Sequence, residues 1–91
     1  MADVRFSSAL ERVTDERTTT VDAATVGEAI DELAERYGDD FSDQLLDDDG
    51  ELRRFVNLYV NGDDVRHGDG LDTPIEEDDE VSVLPAVSGG R

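Results

Sequence analysis

Alternating apolar and polar residues predict two strands near the beginning of the chain. Residues 4–7 alternate strictly, and residues 18–22 are rich in β-branched side chains, both of which are typical of strands. The charged residues 14–17 between them are typical of a turn. We therefore predict a β-hairpin here.

The spacing becomes helical after residue 24. Thr25 stands three residues before Glu28, the spacing of a capping box, in which each side chain binds a free backbone amide at the helix start. Gly38 suits a left-handed C-terminal cap. The apolar residues recur at intervals of three and four: Val26, Ala29, Ile30, Leu33, Ala34 and Tyr37. We predict one long helix whose single apolar face packs on a sheet.

A second, short helical turn is predicted at residues 41–46, followed by the acidic loop 47–50. This loop invites comparison with a calcium-binding EF-hand. An EF-hand needs an oxygen ligand two residues before Asp47 and a glutamate at loop position twelve. Those positions hold Leu45 and Val56, so a solvated turn is the preferred interpretation.

The second half of the chain predicts further strands. Residues 55–60 form the clearest strand, and Asn61-Gly62 is the dipeptide that best fits a type I′ hairpin turn. The returning strand is expected to begin at residues 65–66, and a final strand covers residues 80–84. Together with the helix, these strands predict an α+β fold of the β-grasp type, a mixed sheet with one long helix packed on one face.

Side chains of a strand alternate between its two faces. We expect Val56, Leu58, Val60, Val81 and Val83 to face the helix. Three of the opposite residues are large and apolar, and we call them the docking patch: Phe55, Tyr59 and Leu84. The alternative is that Tyr59 and Leu84 pack against a loop or that the register is shifted by one residue.

Charge separates this chain from most nucleic-acid and membrane binders. It has 25 acidic and eight basic residues, every basic residue is an arginine, and the net charge is −17. Nucleic acids and anionic membranes require clustered Lys or Arg, so we expect a protein partner instead. Repulsion among so many acidic side chains would destabilise the fold at ordinary ionic strength, whereas concentrated salt screens it. We therefore expect the protein to work in a cytoplasm rich in salt. The regular apolar spacing argues against a disordered acidic tail.

The residue inventory does not favour an enzyme. The absence of cysteine excludes disulfides, Cys-ligated zinc and a Cys nucleophile within this sequence. His67 is the single imidazole and has no candidate catalytic partner, so we interpret it as a solvated loop residue. The acid pairs 63–64 and 78–79 are interpreted as surface. We expect no bound metal or cofactor, and the lack of a signal or membrane-spanning pattern predicts a cytoplasmic protein.

The sequence Gly89-Gly90 follows the last strand and carries the candidate chemistry. Glycine reaches backbone conformations that other residues find costly, so two glycines can enter a narrow enzyme channel. The reactive group would be the carboxylate of Gly90, which Arg91 masks by an amide bond. We predict a domain over residues 1–86 and a flexible tail over 87–91, with Arg91 as a one-residue extension to be removed.

These motifs resemble a known family. Residues 55–62, and residues 78–90 with their acidic pair, strand, Pro85 and Gly-Gly, are similar to the MoaD/ThiS-type sulfur carriers and the small archaeal modifier proteins, which are ubiquitin-like. The first half matches in element order, so that the resemblance covers nearly the whole chain. It departs at Arg91, since such carriers usually stop at the second glycine.

The resemblance implies a substrate rather than a catalyst. A ubiquitin-activating-type adenylating enzyme would dock on the patch and use ATP to adenylate Gly90. Sulfur transfer would then give a thiocarboxylate for molybdenum cofactor synthesis or tRNA thiolation, whereas attack by a target protein's lysine would give an isopeptide bond. The resemblance also leaves two further partners possible, namely a molybdopterin synthase large subunit and a metal-dependent peptidase that removes Arg91. The alternative function is a non-covalent β-grasp interaction module or the small subunit of molybdopterin synthase.

Overall fold

A computed structural model describes residues 1–54 and 56–85, the last of these by its backbone alone. Its strands are β1 (Ala2–Phe6), β2 (Thr18–Val21), β3 (Val56–Val60), β4 (Asp63–Asp64) and β5 (Glu80–Pro85). Its α-helices are α1 (Ser8–Thr14), α2 (Val26–Tyr37) and α3 (Asp39–Leu45). Two short 3₁₀ helices cover Val65–His67 and Gly70–Asp72.

The strands form one mixed sheet in the order β2-β1-β5-β3-β4. The central pair, β1 and β5, is parallel, and the other neighbours are antiparallel. Helix α2 contributes Val26, Ala29, Ile30 and Leu33 to the core beside this sheet. The predicted β-grasp fold is therefore confirmed.

The first hairpin exists, but its connection differs from the prediction. β1 and β2 pair antiparallel, with Val4 opposite Thr19. Between them the chain forms helix α1 instead of a simple turn at residues 14–17. Leu10 and Thr14, four residues apart, are both buried on this helix, and Asp15 ends it in the left-handed conformation at φ 60°. The helix forms because Leu10 packs into the core and Val13 packs against it.

The predicted N-terminal cap of α2 is present with altered detail, whereas the predicted left-handed cap at Gly38 is wrong. The Thr25 hydroxyl accepts a hydrogen bond from the Glu28 amide at 3.2 Å. The Glu28 carboxylate accepts from the amide of Ala24, one residue before the position that a capping box uses. Gly38 has φ 92° and ψ −177°, so its φ is positive, as predicted, but its conformation is not the left-handed helical one.

The predicted second helical turn is helix α3, and the acidic loop behind it is closed by its own side chain. Asp47 Oδ1 accepts hydrogen bonds from the amides of Asp49 and Glu51, at 2.9 and 3.0 Å. Such a carboxylate replaces backbone pairing in a tight turn, which agrees with the interpretation of residues 47–50 as a turn.

The turn after β3 has the predicted conformation, but the strand behind it is shorter than expected. Asn61 and Gly62 have φ of 52° and 89°, as type I′ requires. The returning strand β4 ends at Asp64, so the prediction that it begins at Val65 is wrong. The Asp64 carboxylate accepts from the Arg66 amide at 2.8 Å and starts a 3₁₀ helix, which turns Val65 into the core.

The acidic surface leads to a prediction about salt. Most acidic side chains of the described residues are exposed or half-buried, and transfer from about 1 M to 0.1 M salt lengthens the Debye length from roughly 3 to about 10 Å. Mutual repulsion should then lower the thermal unfolding midpoint. Calorimetry in both buffers checks this, and equal midpoints would show that the acidic residues are not an adaptation to salt.

Candidate functional site

The site is built around the end of β5, the strand that precedes the Gly89-Gly90 sequence. β1 accompanies β5 up to the pair formed by Phe6 and Val83. Beyond this point β3 is the one neighbour of β5 in the described part of the chain, with Asn57 opposite Leu84 and Val56 opposite Pro85. The last two residues of β5 are thus held in register by the first two residues of β3.

The predicted alternation of faces is confirmed for the described residues. The five side chains expected to face the helix are buried: Val56, Leu58, Val60, Val81 and Val83. On the opposite face, Asn57, Tyr59 and Ser82 are half-buried, and Leu84 is 40% exposed. The alternative of a register shifted by one residue is therefore wrong.

We call the sheet face opposite helix α2 the open face. Two members of the docking patch lie on it. Tyr59 is opposite Ser82, two residues along β5 from Leu84. Residues in this diagonal relation are about 7–8 Å apart, within reach of an aromatic side chain. Phe55, the third member, lies outside the described residues. The structure places an exposed leucine and a half-buried tyrosine together, and their docking role stays a prediction.

The beginning of β5 is fixed by a hydrogen-bonded loop that the sequence analysis missed. The Asn61 amide group donates to Asp79 Oδ1 at 2.9 Å, and its oxygen accepts from the Glu80 amide at 2.9 Å. The other Asp79 oxygen accepts from the Glu76 amide. The Glu76 amide and the Asn61 side chain hold the pKa of Asp79 below its ordinary value. Asn61 therefore joins the β3 turn to β5 as well as forming that turn.

Arg66 is a second residue that the sequence analysis missed. Its guanidinium donates to the backbone carbonyls of Val56 and Arg53. An arginine in an acidic chain carries no signal that would assign it to these carbonyls, which lie ten and thirteen residues away in the sequence.

The remaining candidate residues are placed as follows. His67 is exposed at the end of the first 3₁₀ helix. Asp63 and Asp64 form the edge strand β4. Gly89, Gly90 and Arg91, like the predicted domain boundary at residue 86, lie outside the described residues. Within residues 1–54 and 56–85, no helix is long and apolar enough to cross a membrane.

Comparison with known proteins adds the family. A family model described as the ThiS family matches residues 4–90. The sulfur carrier protein CysO of Mycobacterium tuberculosis is 42% identical over 77 residues, 82% of each chain. Small archaeal modifier protein 3 of Haloferax volcanii is 42% identical over 69 residues, which are 76% of this chain and 73% of that protein.

A solved structure shows the same architecture. The crystal structure of the Amycolatopsis orientalis BexX/CysO complex contains a chain with a TM-score of 0.87 and 34% identity, covering 99% of this chain and 100% of that one. The resemblance inferred from residues 55–62 and 78–90 is thereby confirmed, and the chain belongs to the ThiS family of sulfur carriers and small modifiers.

Proposed function

We propose that this chain is a ubiquitin-like protein modifier and sulfur carrier whose reactive group is the Gly90 carboxylate. The observation that carries the proposal is the β-grasp sheet of a ThiS-family chain, in which central strand β5 precedes Gly89-Gly90 in the sequence. The relatives named sulfur carrier and small archaeal modifier support both roles.

The chemistry begins with activation of a poor electrophile. A carboxylate repels nucleophiles, whereas an acyl adenylate carries a good leaving group. The activating enzyme joins the Gly90 carboxylate to the α-phosphate of ATP and releases pyrophosphate. Hydrosulfide then displaces AMP to give a thiocarboxylate, or a lysine amine of a target protein displaces AMP and loses a proton to give an isopeptide bond. The chain acts as a substrate, and ATP is consumed by its partner.

Arg91 must be absent before this step. In the sequence Gly90 is followed by Arg91, so its carbonyl lies in an amide and offers no free carboxylate. We propose that a peptidase removes Arg91 and thereby sets when the carrier becomes available.

The direct test compares the full chain with one that ends at Gly90. Each is incubated with the organism's adenylating enzyme and ATP, and the products are read by pyrophosphate release and intact mass. We expect an adenylate from the shorter chain alone. Equal adenylation rates with Arg91 retained in the product would contradict the proposal that Arg91 must be removed. The absence of any adenylate from either chain would contradict the proposed function.

Mass spectrometry of the C-terminus from cells separates this function from its alternative. Gly90 found free, joined to sulfur or joined to a lysine supports the covalent role. Arg91 found intact in every molecule supports a non-covalent interaction module.

The open face around Leu84 supplies the proposed contact with the adenylating enzyme. The BexX/CysO structure supports this in general terms, because a relative of the same fold is solved there with another protein. Leu84 is 40% exposed beside half-buried Tyr59, and an apolar side chain at this position gains stability when a partner covers it.

Leu84→Asp should therefore raise the KM for the carrier about tenfold or more, while the unfolding midpoint changes little. Thr18→Asp is the matched control. Thr18 is exposed on β2, and this substitution adds the same charge at the far edge of the sheet. Steady-state pyrophosphate release measures both. Equal KM values for the two variants would remove Leu84 from the interface.

A further inference from the structure

The last described residues of β5 depend on the beginning of one neighbouring strand, β3. Among the described residues, Leu84 and Pro85 are paired only by Asn57 and Val56 of β3, since the register with β1 ends at Val83. Any displacement of the first residues of β3 would therefore also displace the last described residues of β5.

Hydrogen bonds along this ladder leave the Val56 carbonyl pointing away from β5. Bonded and non-bonded pairs alternate in an antiparallel ladder, and the Asn61 amide donates to the Glu80 carbonyl at 2.7 Å. By this alternation Asn57 and Leu84 form a bonded pair. Val56, one residue earlier, directs its amide and carbonyl to the outer edge of β3, where its amide donates to the Arg53 carbonyl.

No strand covers that edge within the described residues. β4 pairs with Tyr59 and Val60 only, because the chain turns into a 3₁₀ helix after Asp64. The guanidinium of Arg66 takes the place of the missing strand by donating to the Val56 and Arg53 carbonyls. The backbone of Arg66 is itself held by the Asp64 carboxylate. A planar guanidinium with several donors is suited to binding two carbonyls at once.

We propose that Arg66 is a positioning residue for the reactive end of the carrier. It holds the beginning of β3, and through the pairs with Leu84 and Pro85 it fixes the last described residues of β5, from which the sequence continues to Gly90. The inference rests on the proposed adenylation of Gly90. Because a small displacement of a reacting group lowers a rate steeply, loss of Arg66 acts on the reaction step more than on docking.

The test uses chains that end at Gly90 and carry Arg66→Ala, Arg66→Lys or Arg12→Ala. Arg12 is exposed on α1, and its replacement makes the same change in charge. For R66A we expect kcat of adenylation to fall about tenfold, with KM within about twofold of the unsubstituted chain. The kcat of R66K should be intermediate, since an ammonium group cannot reproduce the planar guanidinium that donates to two carbonyls. R12A should leave both kcat and KM unchanged.

Amide hydrogen exchange gives a second readout that does not depend on the enzyme. In molar salt, R66A should speed exchange of the Asn57 and Leu84 amides selectively, with the Val4 and Val81 amides unchanged, and R12A should alter none of them. Unchanged exchange at Asn57 and Leu84 would overturn the proposal, as would faster exchange with unaltered kcat. If the unsubstituted chain is not adenylated, the proposed function fails, and exchange alone decides whether Arg66 holds the end of β5.

Discussion

Replacing Gly90 by valine in a chain that ends at residue 90 should abolish adenylation, a loss of at least about 100-fold, and leave the thermal unfolding midpoint unchanged. A branched side chain at the reacting residue restricts its backbone and moves the carboxylate away from the α-phosphate, where a displacement of about 1 Å costs about 100-fold. The core residues of the described part of the chain lie between residues 2 and 83, and glycine has no side chain to lose, so we expect the change at residue 90 to leave the core intact. Pyrophosphate release and a thermal scan measure the two quantities.

Two further variants make this prediction sharper. Gly90→Ala should lose less activity than Gly90→Val, because the added group is smaller. Thr18→Val, an isosteric change at an exposed residue of β2, should keep both activity and stability. Undiminished adenylation of the Gly90→Val chain would falsify the assignment of Gly90 as the reacting residue.

Phe41→Ala is expected to have the largest effect on stability, a loss of about 3–5 kcal/mol in the free energy of unfolding. Phe41 is fully buried on α3, and its ring lies 5.8 Å from that of Phe6 and 5.7 Å from that of Tyr37. Its removal leaves a cavity between β1, α2 and α3. Since a small domain has only about 5–15 kcal/mol of stability, much of it would be lost.

Urea unfolding in molar salt measures this difference. Leu84→Ala is the control, because Leu84 is 40% exposed and its truncation should cost less than about 1 kcal/mol. A loss at Phe41 no larger than that at Leu84 would contradict the assignment of Phe41 to the core.

Local signals in the sequence were sufficient for much of the fold, and the reactive role of Gly89-Gly90 stays a prediction. Thr25 and Glu28 marked the start of α2, Asn61-Gly62 marked the turn after β3, and the period of two assigned the faces of β3 and β5. Each signal acts between residues a few positions apart, where the physics of capping, turns and side-chain alternation is independent of the rest of the chain.

Tertiary structure decided the remaining features. Helix α1 forms because packing onto the core favours it over a turn, and β4 ends early because the Asp64 carboxylate and the burial of Val65 bend the chain away from β3. The contacts of Arg66 with the carbonyls of Val56 and Arg53 join residues ten and thirteen apart. A sequence pattern cannot report such contacts, because a backbone carbonyl has no residue-specific signal and its free side is known only once the neighbouring strands are placed.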